Sequence, residues 1–334
     1  MKLINFPHLV QAEIYKLMNY GDVFIFSLTS KKCTQSIENV RFKEIYLIRI
    51  NTDAMRNTVK ATVVFQNGEE QQIVELCPSL RFYEKEIKNI TIFGQKTEYR
   101  YRNHRTYYPS ASRQELTYFL YNQLHRLFGK HTIFEFVMTG KWDCLPIIPN
   151  IKRSIMNSLE NTPAEYLDDY FKALPAQEIV KISMKRLYGN LSPNSKLYEA
   201  QNLKISCNFM SPDILFNFKG KTAILTGVHY TKEDICQFLK NWKSKTSGIN
   251  LHRLNVFIDK GFDDFESINQ IVDTKKITVG VPEELLNHQG ETFDSYIVRA
   301  DGIVAWLVIS RIKISLHVQD FTEEEMLKKY NIDH

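Results

Sequence analysis

No apolar run in this chain approaches the roughly 18 residues needed to cross a bilayer. The longest, residues 23–26 and 303–309, suit buried segments. The apolar start is interrupted by Pro7, His8, Gln11 and Glu13, unlike the continuous core of a secretory signal. A soluble protein of the cytoplasm or nucleus, with no membrane partner, is expected. Cysteine is sparse: Cys33, Cys77, Cys144, Cys207 and Cys236 are odd in number and scattered, with no C-x-x-C pair and no histidine at zinc-finger spacing. That excludes a disulfide framework and leaves reduced, mostly buried thiols. Charge of one sign is also scarce. Against 38 acidic residues stand 43 basic ones, a net charge of +5 that does not impose nucleic-acid binding.

Catalytic constellations are missing as well. Gly220-Lys221-Thr222 matches the end of a phosphate-binding loop, but Leu215 stands where the motif needs its first glycine. Neither a G-x-S-x-G elbow nor an H-E-x-x-H helix occurs, and the nine histidines are dispersed. Glu323-Glu324-Glu325 reads as a helix start, with Thr322 and Glu325 at capping-box spacing. The expectation is a non-enzyme with no catalytic residue, metal or cofactor.

What the sequence does have is an excess of apolar side chains at its beginning. Sixteen of the twenty-six residues 3–28 are hydrophobic, more than so short a segment buries in itself, since units below about 40 residues rarely support their own core. Pro7 suits a first helical position, and Val10, Ile14, Leu17 and Met18 follow the spacing of one helical face. Asn19-Tyr20-Gly21-Asp22 breaks the run, Asp22 is placed to cap a second helix through Leu28, and Ser30-Lys31-Lys32 reads as a polar exit. A helical hairpin with apolar residues on more than one side must be covered on more than one side.

The order Phe6-Pro7-His8-Leu9-Val10, Glu13-Ile14, Leu17-Met18, Gly21-Asp22-Val23 and Ser27-Leu28-Thr29-Ser30-Lys31-Lys32 resembles an F-box. Phe6 replaces the usual opening Leu, and Cys33 stands where a bulky residue often closes the pattern. The resemblance implies docking onto the Skp-type adaptor of a cullin-RING ubiquitin ligase. It makes Phe6, Pro7, Val10, Ile14, Leu17, Val23 and Leu28 the candidate adaptor-binding residues.

From Phe42 to about residue 93 the chain turns to strand chemistry. Thr62-Val63-Val64-Phe65 and Gln72-Ile73-Val74 flank Asn67-Gly68, the dipeptide favoured in hairpin turns, and residues 45–50 mix β-branched and aromatic residues as a strand does. Residues 96–113 interleave Lys96, Arg100, Arg102, Arg105 and Arg113 with Tyr99, Tyr101, Tyr107 and Tyr108. Such a composition can grip phosphates and stack bases. With no nucleic-acid fold signature beside it, a solvated strand edge or connector before a helix of residues 113–128 is the simpler account.

Beyond residue 150, short strands recur. Taking Ile182, Ile205, Ile224 and Val256 as equivalents, the intervals of 23, 19 and 32 residues straddle those of leucine-rich-type repeats. Helices are expected between them at residues 211–217 and 231–242, the latter with Ile235, Phe238, Leu239 and Trp242 as its apolar stripe and Thr231 as its cap. Stacked strand-turn-helix units make a surface suited to a large partner. The run 203–258, with Asp234, Phe238-Leu239-Lys240-Asn241-Trp242 and Leu251-His252-Arg253-Leu254-Asn255-Val256, looks like the type-2 F-box-associated domain of nematode F-box families. Residues 296–306, turning at Asp301-Gly302, are similar to that domain's closing hairpin.

The expected fold is α+β: a helical F-box-like segment at 1–42, a β-hairpin and helix region at 43–149, a leucine-rich-repeat-like αβ solenoid at 150–321, and a C-terminal helix or tail at 322–334. The resemblances imply the substrate receptor of an SCF-type ubiquitin ligase, a non-catalytic tether between adaptor and target protein. Tyr188, Tyr198, Tyr230 and Trp306 are candidate target anchors, because interface centres favour Tyr and Trp; scattered surface or core is the competing account. An RNA-binding module using residues 96–113, or a protein-binding scaffold outside any ligase, are the alternatives.

Overall fold

The computed structural model describes residues 3–42, 44–78, 87–92, 95–100, 105–108, 113–129, 132–141, 148–174, 176–208, 210–276 and 295–330, with the backbone alone at 78, 87–92, 95–100 and 105–108. Two compact units divide the chain, Met1–Asn157 and Ser158–His334.

The first unit opens with helices α1 (His8–Leu17), α2 (Tyr20–Leu28) and α3 (Lys31–Glu38). There are three because Ser30, expected as a polar exit, is a cap: its Oγ accepts from the Cys33 amide at 3.2 Å. Asn19, not Asp22, caps α2, accepting from the Asp22 amide at 2.8 Å. Asp22 instead lies in the first turn, where a carboxylate suits the helix dipole. Pro7 stands one position before α1, as its N-cap residue.

Strands β1 (Ile45–Asp53), β2 (Thr58–Phe65), β3 (Glu70–Pro78), β4 (Ile87–Ile92), β5 (Gln95–Arg100) and β6 (Arg105–Tyr108) follow, then α4 (Arg113–Phe128), β7 (Ile133–Thr139) and β8 (Arg153–Asn157). Their order in the unit's sheet is β8-β7-β1-β2-β3-β6-β5-β4. The β2–β3 hairpin turns at Asn67-Gly68 as its composition predicts, with Gly68 at φ +85°. Strand β7 returns parallel to β1, a pairing that needs a crossover, and α4 lies on that connection. The N-terminal helices share this unit's core. Val23 and Phe24 of α2 are fully buried, worth about 1.5–3 kcal/mol each. Gln123 of α4 donates to Ser27 Oγ at 3.0 Å, Arg126 pairs with Glu38 of α3, and the rings of Tyr20, Phe42, Phe65 and Phe128 meet at 5.3–5.9 Å. Residues 1–42 and 43–149, expected as separate domains, therefore lie in one compact unit.

The second unit contains β9 (Asn161–Pro163), α5 (Ala164–Lys172), β10 (Ile179–Met184), β11 (Arg186–Tyr188), β12 (Asn202–Cys207), α6 (Asp213–Asn217), β13 (Thr222–Val228), α7 (Lys232–Lys243), β14 (Arg253–Ile258) and α8 (Glu266–Ile271). It continues with β15 (Lys275–Lys276), β16 (Ser295–Val298), β17 (Ile303–Ile309), β18 (Lys313–Thr322) and α9 (Glu323–Tyr330). Strands β10, β12, β13 and β14 lie side by side in chain order, all parallel. Strands β18, β17, β16 and β15 extend them in antiparallel pairing, and β9 pairs with β11 in a separate two-stranded sheet. The architecture is α+β, N-terminal helices followed by mixed sheet.

The register places Ile182, Ile205, Leu225 and Val256 in one row, so the third equivalent residue is Leu225 and not Ile224. One residue of slip exchanges the two faces of a strand. Leu225 and Ala223 face α6 and α7 across a small apolar cavity lined also by Ile214, Leu215, Phe218, Phe238 and Leu254, while Ile224 lies on the other face beside Lys204. The stripe of α7 is buried as its spacing predicts, and Thr231 with Asp234 forms a capping box. Thr322 and Glu325 do the same for α9, whose Met326 packs with Tyr296, Val304 and Trp306.

Candidate protein-docking surface

Helix α1 is buried on the side its polarity argues against. Gln11 and Tyr15, one turn apart, face inward, and both are held by specific hydrogen bonds. Gln11 Nε2 donates to the carbonyls of Phe6 at 2.6 Å and Ile4 at 3.3 Å, tying the preceding 3-10 turn, Leu3–Asn5, to the helix. The Tyr15 hydroxyl lies 2.6 Å from Ser36 Oγ on α3, and burial raises its pKa above the ordinary tyrosine value. Burying an amide or phenol costs much less with such partners than without them.

At 100° per residue, the direction opposite Gln11 and Tyr15 is taken by Leu9, Glu13 and Leu17, flanked by Val10 and Lys16. Leu9 is 80% exposed, Leu17 88% and Val10 42%. Lys16 and Glu13 pair beside them at 2.7 Å. Three exposed aliphatic side chains thus share one outward helix face with the Lys16–Glu13 pair, a mixture of apolar and charged groups suited to protein docking.

Of the candidate adaptor-binding residues, Pro7, Val10 and Leu17 are exposed, and Phe6, Ile14 and Leu28 are half-buried. Val23 is fully enclosed. It belongs to the packing of α2 and cannot touch a partner without unfolding the unit. Leu9, the second most exposed of these aliphatics, was not singled out by its spacing, because it falls outside the Val10-Ile14-Leu17 row.

The candidate target anchors separate as sharply. Tyr188 is 48% exposed, whereas Tyr198, Tyr230 and Trp306 are buried and therefore core residues. Burial also raises the pKa of the Tyr198 and Tyr230 phenols well above the ordinary value. In the basic-aromatic stretch 96–113, side chains other than Arg113 lie outside the described residues. Gly220 owes its place to packing, since a Cβ there would stand 1.9 Å from the Ala200 carbonyl oxygen. Among the described residues no group of three or more His, Cys, Asp or Glu is placed to hold a metal ion. Cys33, Cys77, Cys207 and Cys236 are buried and in no disulfide; Cys144 lies outside the described residues. No described helix is long and apolar enough to cross a membrane. No protein-family model, curated protein or solved structure matches this chain.

Proposed function

We propose that this protein is the substrate receptor of an SCF-type cullin-RING ubiquitin ligase, a non-catalytic cytoplasmic or nuclear protein. The exposed aliphatic face of α1 would dock on the Skp-type adaptor, and the second unit would hold the target. The observation that carries the reading is the bare face of Leu9, Val10 and Leu17 on a helix whose inner side is already packed. It supports the helix-in-groove mode, in which anchors one or two turns apart enter an apolar groove. The F-box-like residue order around that face supports the choice of partner. In the second unit, the in-order parallel strands support a leucine-rich-repeat-like arrangement and the F-box-associated assignment. The mechanism is proximity: tethering raises the effective concentration of target lysines near the charged conjugating enzyme.

The test is capture by purified Skp-type adaptor, comparing the native chain with Leu17→Asp and Val10→Asp. Retention of the native chain and loss of both variants, at unchanged circular dichroism, is the expected result. Equal capture of all three would remove α1 from the interface, and no capture of the native chain would remove the ligase role.

A further inference from the structure

On one face, the parallel strands of the second unit carry positive charge and no negative charge. The parallel strands align their side chains in three rows on that face: Ile179-Asn202-Thr222-Arg253, Lys181-Lys204-Ile224-Asn255 and Ser183-Ser206-Thr226-Phe257. None contains Asp or Glu. Helix α9 covers this face over β16 and β17, packing on Tyr296, Val304 and Trp306, but over β10 and β12 it is open, with Lys181, Ser183, Asn202 and Lys204 exposed. Arg253 is exposed as well.

Lys181 and Lys204 are direct cross-strand partners. Strand spacing puts their backbones about 4.8 Å apart, and like charges directly opposite each other destabilise a sheet. Neither they nor Arg253 enter any described ion pair or side-chain hydrogen bond. The arrangement costs the free fold something and gives it nothing, whereas an anion laid across the row would relieve the repulsion.

We propose that this face docks an Asp- and Glu-rich segment of the target protein, with carboxylates on Lys181, Lys204 and Arg253 and the hydroxyls of Ser183, Ser206 and Thr226 as flanking hydrogen-bond partners. The inference rests on the receptor reading above and names the target class for it. Nucleic acid fits less well. Strand binding without a groove-reading element relies on open aromatic platforms, and the aromatic residue in these rows, Phe257, already has the Lys313 ammonium 5.4 Å from its ring centre.

The experiment is fluorescence anisotropy of the full chain with a short synthetic peptide of alternating Glu, Asp and Gly, beside its Gln and Asn counterpart. Binding of the acidic peptide alone, weakened about tenfold or more by Lys181→Glu with Lys204→Glu, kept by Lys181→Arg with Lys204→Arg, and lessened by added salt, is the expected pattern. Native affinity in the charge-reversed chain would overturn the proposal. So would tighter binding of single-stranded RNA than of the acidic peptide at the same ionic strength. Adaptor capture by the charge-reversed chain is expected at the native level, so failure of this face and failure of the α1 interface are read separately.

Discussion

Gln11 and Leu17 occupy the inner and outer sides of α1 with exposures that reverse their chemistry: 7% for the amide, 88% for the aliphatic chain. The amide is inside because two backbone carbonyls of the preceding turn await it there. Leucine is outside because the inner positions are already filled by Gln11 and Tyr15.

Leu17→Asp is expected to leave folding stability within about 0.5 kcal/mol of the native value, as at ordinary surface sites. Val23→Asp, which buries a carboxylate, is expected to cost on the order of 3 kcal/mol or more. Urea unfolding followed by circular dichroism separates the two. A large loss at Leu17 would mean that its side chain is covered by this chain itself.

Gln11→Ala removes both bonds to the 3-10 turn and leaves the Phe6 carbonyl without its short partner. The expected cost is about 1–2 kcal/mol, with faster hydrogen exchange at the Gln11 and Phe6 amides, each of which donates within this turn and the start of α1. Unchanged exchange would show that the amide does not hold the turn.

Gly220→Ala forces a methyl against the Ala200 carbonyl, so the connection into β13 must shift, at about 1–3 kcal/mol. Thermal unfolding measures this. A neutral substitution would contradict the close approach that explains the glycine.

Asp301 sits in the β16–β17 turn, where Arg299, at 2.9 Å, and Lys245, at 3.0 Å, hold its carboxyl well below the ordinary value of 3.8. A depressed folded-state pKa contributes stability that is complete above the unfolded carboxylate value and is lost as pH falls from there through the folded one. The native chain is thus expected to lose stability below about pH 4, and Asp301→Asn to be less stable at neutral pH with a flatter acid limb. Parallel acid limbs in urea titrations of the two proteins would contradict this.

Where side-chain chemistry acts locally, the sequence was easy to read. The bounds of α4, the Asn67-Gly68 hairpin, the α7 stripe with its Thr231 cap and the turn before β17 all follow from spacing and turn residues. Where contacts beyond the helix or strand decide which residues are buried, spacing could not choose among them. Val10, Ile14 and Leu17 form a regular row on α1, with Met18 at its C-cap, yet the core took Gln11 and Tyr15, since the carbonyls of Ile4 and Phe6 converge on Gln11 only after the turn has formed. Ile224 and Leu225 are adjacent and both aliphatic, and which of them faces the helices is decided by pairing with β12 and β14. The exposed face of α1 was legible as surplus; its composition, with Leu9 in and Val23 out, was not. The lysine row of the second unit needed the register, because 23 residues separate Lys181 from Lys204.

Tyr15 is anchored to α3 through Ser36, Gln11 grips the incoming turn, and Asn19 starts α2 two residues after α1 ends. The leucine-bearing helix therefore stands finished and oriented before any partner arrives. The proposed association at this face would forgo the roughly 2–5 kcal/mol ordering cost that a segment folding upon contact must meet, so even a few aliphatic anchors here would convert burial into affinity with little conformational loss.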